Sequence, residues 1–135
     1  MKKVQIELVK AWFIKAQHDL GTAHKLSKGP DPFLDTAIYH CQQAAEKSIK
    51  GFLVYHNQRF EKTHDLRPMI DMAAKIDTEF SELMDAAELL TPYATEFRYP
   101  DDVLEPSGTQ FSEALKMAEQ FYEFILSRLP ENTHP

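Results

Sequence analysis

The spacing of the apolar residues constrains this chain most, because they recur at steps of three and four residues along most of its length. Such spacing places them on one side of an α-helix. No segment alternates between apolar and polar at every second residue, as a half-buried strand does. Prolines and glycines are concentrated at 29–32 and 100–108, where they end the helical pattern. The sequence therefore predicts an all-α fold.

Two long helices are expected in the first half of the chain, at about 4–27 and about 33–57. The second has an apolar side and an opposite polar side, and both are continuous over several turns. Its polar side carries Thr36, His40, Gln43, Lys47 and Lys50. This polar stripe is long enough to line a groove.

Three further helices are expected in the second half. Thr63 or Asp65 can cap a short one, with Pro68 in its first turn. The next is capped at 77–78 and reaches at least Leu90, with Pro92 as a kink or restart and a continuation through residue 98 left open. The last begins at a capping-box pattern, 107–110, and runs to the proline at 130.

The expected architecture is an antiparallel up-and-down four-helix bundle with an additional short helix, about five helices in all. Four of the five are expected to be long. With 135 residues the chain has the usual size of a single domain. We therefore expect one domain over 1–135, with its core within about 4–129.

The single cysteine and the absence of a long apolar run predict the compartment. Cys41 excludes an internal disulfide and fits a reducing environment, and its place on the apolar side of the second helix predicts a buried, inert thiol. No run of 18 apolar residues is present, so no membrane association is expected. The basic first residues are not followed by an apolar stretch. A cytoplasmic protein is the simplest expectation.

The charge is negative overall but unevenly distributed. A net charge of −6 argues against a general nucleic-acid coat. Residues 40–67 nevertheless carry five Lys or Arg against three acids, whereas residues 68–113 carry two against eleven. One end of the fold can therefore receive phosphates while another face repels them. A solvated surface with chance clustering is the alternative interpretation.

No metal ion or cofactor is expected. The Glu-x-x-His spacing occurs once, at Glu61 and His64, and metal sites in helical bundles need a second copy on a facing helix. The acids Asp101, Asp102 and Glu105 lack partner carboxylates at fixed spacing and are interpreted as a solvated loop. Neither a Gly-rich phosphate loop nor a nucleophile elbow is present.

The candidate site consists of cationic, imidazole and aromatic side chains from three stretches. Cations bind phosphate, imidazoles donate hydrogen bonds, and a tyrosine can stack on a base. The helix start near 65 also favours anions. The six candidates are His40, Lys47, Lys62, His64, Arg98 and Tyr99. A solvated helix face with ordinary capping is the alternative interpretation.

Four stretches of the sequence together resemble the HEPN domain family, and the resemblance covers about residues 11–129. They are AQHDL at 16–20, YHCQQAAEK at 39–47, KTHDL at 62–66 and RYP at 98–100. The resemblance implies a helical bundle that commonly forms a homodimer and acts on or near nucleotides and RNA. Some relatives are metal-independent ribonucleases, often in toxin–antitoxin systems. Others accompany a minimal nucleotidyltransferase, or bind nucleotides without cleaving them.

The ribonuclease members of that family are similar in having an arginine followed four to six residues later by a histidine. No histidine follows Arg98 in that window. Arg59 and His64 have the spacing but lie before the third helix, and we interpret this pair as a coincidence. Metal-free cleavage needs a group that moves a proton as well as a cation that stabilises the charge on phosphorus. Arg98 can supply only the second.

The sequence therefore predicts a HEPN module without catalytic activity. It would bind a nucleotide or RNA phosphate, or a nucleotidyltransferase partner, as a homodimer. One alternative is a metal-independent, toxin-type endoribonuclease that uses Arg98 and His64. The other is a purely structural interaction domain.

Overall fold

The computed structural model describes residues 1–100 and 104–135, and within them every regular element is helical. Three 3₁₀ turns, Thr78–Leu83, Thr91–Ala94 and Glu131–Thr133, accompany the α-helices. The α-helices are α1 Lys3–Leu26, α2 Leu34–Tyr55, α3 Leu66–Ala74, α4 Met84–Leu90 and α5 Gly108–Ser127. The predicted all-α fold with five helices is confirmed. Every described helix is too short or too polar to span a bilayer.

The central element is α2, which packs against α1, α3, α5 and the 3₁₀ turn Thr91–Ala94. Fourteen of its 22 residues are buried, so it has no continuous solvent-facing side. The polar stripe predicted along α2 is therefore wrong at Gln43 and Lys50, both of which are buried. The physical reason is that the segment before α3 packs on this side, where the Gln42 amide donates to the backbone oxygen of His64.

Helices α1 and α2 approach each other closely at Gly51. A Cβ atom at this position would lie 2.7 Å from Cε2 of Phe13, well inside van der Waals contact. The glycine therefore lets the Phe13 ring pack directly on the backbone of α2. The core continues through three other fully buried rings, Phe52, Phe80 and Phe121.

The helix starts follow the predicted caps. The Asp65 carboxylate accepts a hydrogen bond from the backbone N–H of Arg67 at the start of α3. Asp77 does the same for the next segment, and Ser107 forms a reciprocal capping box with Gln110 at the start of α5. Each cap satisfies amide groups that have no partner within the helix.

The segment between α3 and α5 differs from the prediction of a fourth long helix. Its described regular elements are the 3₁₀ turn Thr78–Leu83, the seven-residue α4 and the turn Thr91–Ala94. Pro92 cannot donate a backbone hydrogen bond, and the chain tightens to 3₁₀ geometry there. Phe97, at φ +68°, lies in the left-handed region, so the helical continuation through Arg98 does not occur.

Candidate functional site

A cavity of about 220 Å³ lies between the first turns of α2 and the segment 97–98. Its lining combines four residues of α2 at one-, three- and four-residue steps, which share one face of the helix, with two residues after the Thr91–Ala94 turn. The lining residues are Asp35, Thr36, Tyr39, His40, Phe97 and Arg98. We call this cavity the α2 cleft.

Arg98 is held at the cleft by an aromatic ring and a carbonyl group. Its guanidinium carbon lies 4.0 Å from the ring centroid of Tyr39, and its Nη1 donates to the backbone oxygen of Ala94 at 2.8 Å. Left-handed backbone at Phe97 is unfavourable by about 1–2 kcal/mol for a residue other than glycine. The Phe97 ring stacks on Tyr93, with 6.2 Å between centroids, and this packing helps to hold the strained turn that precedes Arg98.

His40 is oriented by a buried carboxylate on the neighbouring helix. Its Nδ1 donates to Oδ1 of Asp19 at 2.8 Å, and Nζ of Lys47 donates to Oδ2 at 2.7 Å. Asp19 is buried on α1, and each of its oxygens therefore has a strong donor. The hydrogen bond at Nδ1 fixes the ring, so that Nε2 is the nitrogen free to bind a ligand. We call Asp19, His40 and Lys47 the Asp19 cluster.

A second buried carboxylate, Glu46, has a similar set of partners. It accepts hydrogen bonds from Nδ1 of His64 at 2.8 Å, Nζ of Lys50 at 2.9 Å and Nε2 of Gln42 at 3.2 Å. Burial raises the pKa of Glu46, but these hydrogen bonds together hold it below its ordinary value of 4.5. We call Glu46, Gln42, Lys50 and His64 the Glu46 cluster. It fastens the segment before α3 to α2.

The HEPN domain family matches residues 9–129, nearly the whole chain. The chain belongs to the HEPN domain family. Two crystal structures have the same fold. ST0689, an archaeal HEPN homologue, is 21% identical with a TM-score of 0.68 over 95% of this chain and 98% of that one. TT1696 from Thermus thermophilus is 26% identical with a TM-score of 0.68 over 90% of this chain and 98% of that one. No curated protein matches the sequence significantly.

This HEPN domain brings some of the predicted site residues together. His40 and Lys47 share Asp19, and His40 and Arg98 line the α2 cleft. Tyr99 is exposed and follows Arg98 directly. His40 therefore belongs to both arrangements, whereas Lys47 and Arg98 each belong to one.

The other two predicted site residues lie elsewhere. His64 binds Glu46 and does not line the α2 cleft. Lys62 is exposed and has no side-chain hydrogen bond or ion pair within residues 1–100 and 104–135. Arg98 and His64, the pair of the ribonuclease alternative, share neither a cavity nor a contact in the described part of the chain.

Sequence reasoning assigned no role to the two buried carboxylates. A signal for Asp19 was available, because it continues the three- and four-residue steps from Ala16 to Ala23 on the buried side of α1. An acid at a core position needs a cationic or hydrogen-bonding partner. Glu46 has a comparable signal, since Gln42 and Lys50 flank it at four-residue steps on the same helix.

Metal chemistry has no ligand set in the described part of this HEPN domain. No group of three His, Cys, Asp or Glu side chains there is close enough to hold an ion. Asp101 and Asp102 of the acidic loop lie outside the described residues. Cys41 is buried as predicted, and burial raises the pKa of its thiol to about 12, so it stays protonated and unreactive at neutral pH.

Proposed function

We propose that this HEPN domain binds the phosphate group of a nucleotide or RNA end in the α2 cleft. The observation that carries the proposal is the pairing of Arg98 with His40 around one cavity. A guanidinium has five N–H donors in a rigid fork that matches phosphate oxygens. Nη1 donates to Ala94, and Tyr39 holds the plane of the group in place. The remaining donors are available to a ligand.

The start of α2 adds both attraction and repulsion. The positive end of the helix dipole favours an anion here. The hydroxyl of Thr36, which also lines the cleft, donates to Oδ1 of Asp35 at 3.4 Å. Asp35 opposes an anion, although its carboxylate already accepts a hydrogen bond from the backbone N–H of Thr36 at 2.8 Å. Arg98 therefore has to supply most of the attraction. Removal of the Asp35 charge should strengthen binding.

The size of the cleft supports a phosphate with part of a sugar rather than an enclosed nucleotide. Its volume of about 220 Å³ is below the roughly 300–1,000 Å³ of pockets that enclose whole ligands. A nucleobase would lie outside, where the exposed ring of Tyr99 directly follows Arg98 in sequence and the exposed ring of Phe33 comes two residues before Asp35. Stacking on such rings tolerates any base.

The exposed apolar side of α1 supports a homodimer. Val4 and Leu8 are exposed there, and Leu8 borders a depression of about 230 Å³ that includes Trp12. Exposed Glu7 and Lys15 lie at equal distances along the chain from Ala11, so two antiparallel copies of α1 would place opposite charges face to face. Family membership supports a minimal nucleotidyltransferase as a further partner. Light scattering and co-purification with an adjacently encoded protein would test the two assemblies.

Titration calorimetry with inorganic phosphate and 5′-AMP tests the phosphate proposal. We expect Arg98→Ala to weaken binding about tenfold or more, because a hydrogen bond to a charged group contributes about 1.5–3 kcal/mol. Asp35→Asn should strengthen binding, and binding should weaken as salt rises. The control is Lys75→Ala, which removes an exposed cation that lies just after the C-terminal end of α3 and does not line the α2 cleft. Unchanged affinity in Arg98→Ala would contradict the proposal.

A further inference from the structure

We infer that a second cavity, beside the segment before α3, binds a small zwitterion with an apolar side chain, either a free amino acid or a dipeptide. We call this cavity the α3 cleft. Its volume is about 440 Å³, against about 220 Å³ for the α2 cleft, and the two share no lining residue. Pockets that enclose a whole small ligand have volumes of roughly 300–1,000 Å³. The α3 cleft is therefore large enough for a ligand of its own, and this site does not depend on the proposed function.

One wall of the α3 cleft is held in place by the body of the protein. This wall is the segment before α3, residues 56–65, and Phe60 and His64 fasten it to α2. Nδ1 of His64 lies 2.8 Å from Oε1 of Glu46, and the ring centroid of Phe60 lies 5.6 Å from Nζ of Lys50. A wall that is already ordered loses little conformational entropy when a ligand binds.

Two side chains of opposite charge line the cleft from this wall. They are Arg59 and Glu61, and neither has a hydrogen bond or an ion pair in the part of the chain that the structure describes. The other three arginines each donate to an oxygen of the protein. The α3 cleft therefore offers a ligand one unpaired cation and one unpaired anion.

A second acid in the lining, Asp65, is already neutralised. Its carboxylate accepts hydrogen bonds from Nε and Nη2 of Arg67 at 3.0 and 2.9 Å, and these bonds lower the pKa of Asp65. The unpaired charges that remain in the cleft sum to zero. A phosphate would gain from Arg59 but would be repelled by Glu61, so the cleft favours a ligand that carries both charges.

The remaining surface of the cleft is mostly apolar. Met69 and Met72 are three residues apart and share one face of α3, and the ring of Phe60 and Pro68 complete this surface. Met69 is buried, while Met72 and Phe60 are half-buried. Thioether side chains are flexible and adapt to apolar groups of different shapes. An apolar side chain of the ligand would remove this surface from water.

A zwitterion with an apolar side chain matches these three features together. Its carboxylate fits the planar fork of Arg59, its ammonium group pairs with Glu61, and its side chain covers the two methionines. A ligand with a single charge would leave one of the two charged residues unpaired. A free amino acid and a dipeptide both carry this chemistry, and the volume of the cleft admits either.

Titration calorimetry of the full chain with L-leucine and with L-leucyl-L-leucine tests the site. We expect at least one of them to bind, and the tighter of the two identifies the source of the zwitterion. Glycine and glycylglycine should bind about tenfold more weakly than their leucine counterparts or worse, because they cannot cover the methionines. Absence of binding by both leucine compounds would overturn the inference, and so would equal binding of the glycine compounds.

Each charge is tested by a matched variant and a matched ligand. Arg59→Gln should weaken binding of the tighter ligand about tenfold or more, but should not change the affinity for its C-terminal amide, which has no carboxylate. Glu61→Gln should likewise weaken binding of the zwitterion and leave that of its N-acetyl form unchanged. Lys62→Gln removes an exposed cation that does not line the cleft, and it should change neither affinity. Equal weakening of the zwitterion and the amide in Arg59→Gln would overturn the assignment.

The same variants keep this site apart from the proposed function. Arg59→Gln should leave the affinity for 5′-AMP unchanged, because Arg59 does not line the α2 cleft. Loss of 5′-AMP binding in Arg59→Gln would assign this cation to a phosphate site and overturn the inference. Binding of the zwitterion without any binding of 5′-AMP or phosphate would support the α3 cleft and contradict the proposed function alone.

Discussion

The Asp19 and Glu46 clusters share a carboxylate, an imidazole and an ammonium group in different arrangements, and the Glu46 cluster adds the amide of Gln42. Each has a buried carboxylate that holds one imidazole and one ammonium group. Asp19 lies on α1, and both of its charged partners lie on α2. Glu46 lies on α2 itself, and its partners come from the same helix and from the segment before α3. One cluster joins two helices, whereas the other fastens a connecting segment.

The two clusters differ in which partner is removed from water. In the Glu46 cluster the Lys50 side chain is 11% exposed and that of His64 is 60% exposed. In the Asp19 cluster the values are similar, 27% for Lys47 and 25% for His40. Glu46 therefore neutralises a buried ammonium, while Asp19 orients an imidazole at a cavity. The same groups surround a buried ammonium in one place and an imidazole that lines a cavity in the other.

The largest expected effect is on stability at Glu46. Glu46→Ala leaves the buried ammonium of Lys50 without its partner and should lower the free energy of unfolding by about 3–5 kcal/mol. Urea denaturation monitored by circular dichroism measures this change. Glu88→Ala removes an exposed carboxylate of α4 and is the control, with an expected change below about 0.5 kcal/mol. A loss at Glu46 no larger than the control would show that Lys50 is well solvated.

A smaller effect is expected at Asp19. Asp19→Asn keeps one acceptor oxygen, and both partners can reach water, so we expect a loss of about 1–3 kcal/mol in the same assay. Lys47→Met removes the ammonium but keeps the length of the side chain, and it separates the contribution of Lys47 from that of His40. A larger loss at Asp19 than at Glu46 would reverse the comparison between the clusters.

The sequence predicted the helices better than it predicted the surroundings of α2. Periodicity and capping residues are local signals, so α1, α2, α3 and α5 follow from the sequence alone. Gln43 and Lys50 are buried beside the segment before α3, which comes later in the sequence. Gln43 donates to Gln42, which donates to the backbone oxygen of His64, and Nζ of Lys50 lies 5.6 Å from the ring centroid of Phe60. Local polarity therefore indicated a solvent-facing stripe where the tertiary fold places buried hydrogen bonds.

The site residues show the same limit. His40 was identified by its place on α2 and Arg98 by its type, but their shared cavity depends on the left-handed turn at Phe97. A phenylalanine gives no sequence signal for such a turn, which glycine or asparagine normally occupies. The spacing of an arginine and a later histidine describes neighbours along the chain only, whereas His40 reaches the cavity of Arg98 from α2.

The pH dependence of stability sharpens the comparison further. The pKa of Glu46 is lowered on folding, so the stability it contributes is present above its ordinary value of 4.5 and is lost as pH falls below that value. One carboxylate changes the slope of the free energy of unfolding against pH by at most about 1.4 kcal/mol per pH unit. Urea denaturation between pH 3 and 6 should show that the free energy of unfolding falls more steeply with falling pH in the wild-type protein than in Glu46→Gln. Parallel curves would show that Glu46 is not the group that titrates.

The smallest expected effect is at Lys62, a cation that belongs to neither cluster. Its side chain is exposed on the segment before α3 and does not line the α2 cleft. Surface substitutions of this kind change stability by less than about 0.5 kcal/mol. Lys62→Ala should therefore leave urea denaturation unchanged and weaken 5′-AMP binding less than twofold, in contrast to Arg98→Ala. A tenfold weakening of 5′-AMP binding would place the ligand over the Glu46 cluster instead, and the sequence-based grouping of Lys62 with His64 would then describe the site better than the α2 cleft does.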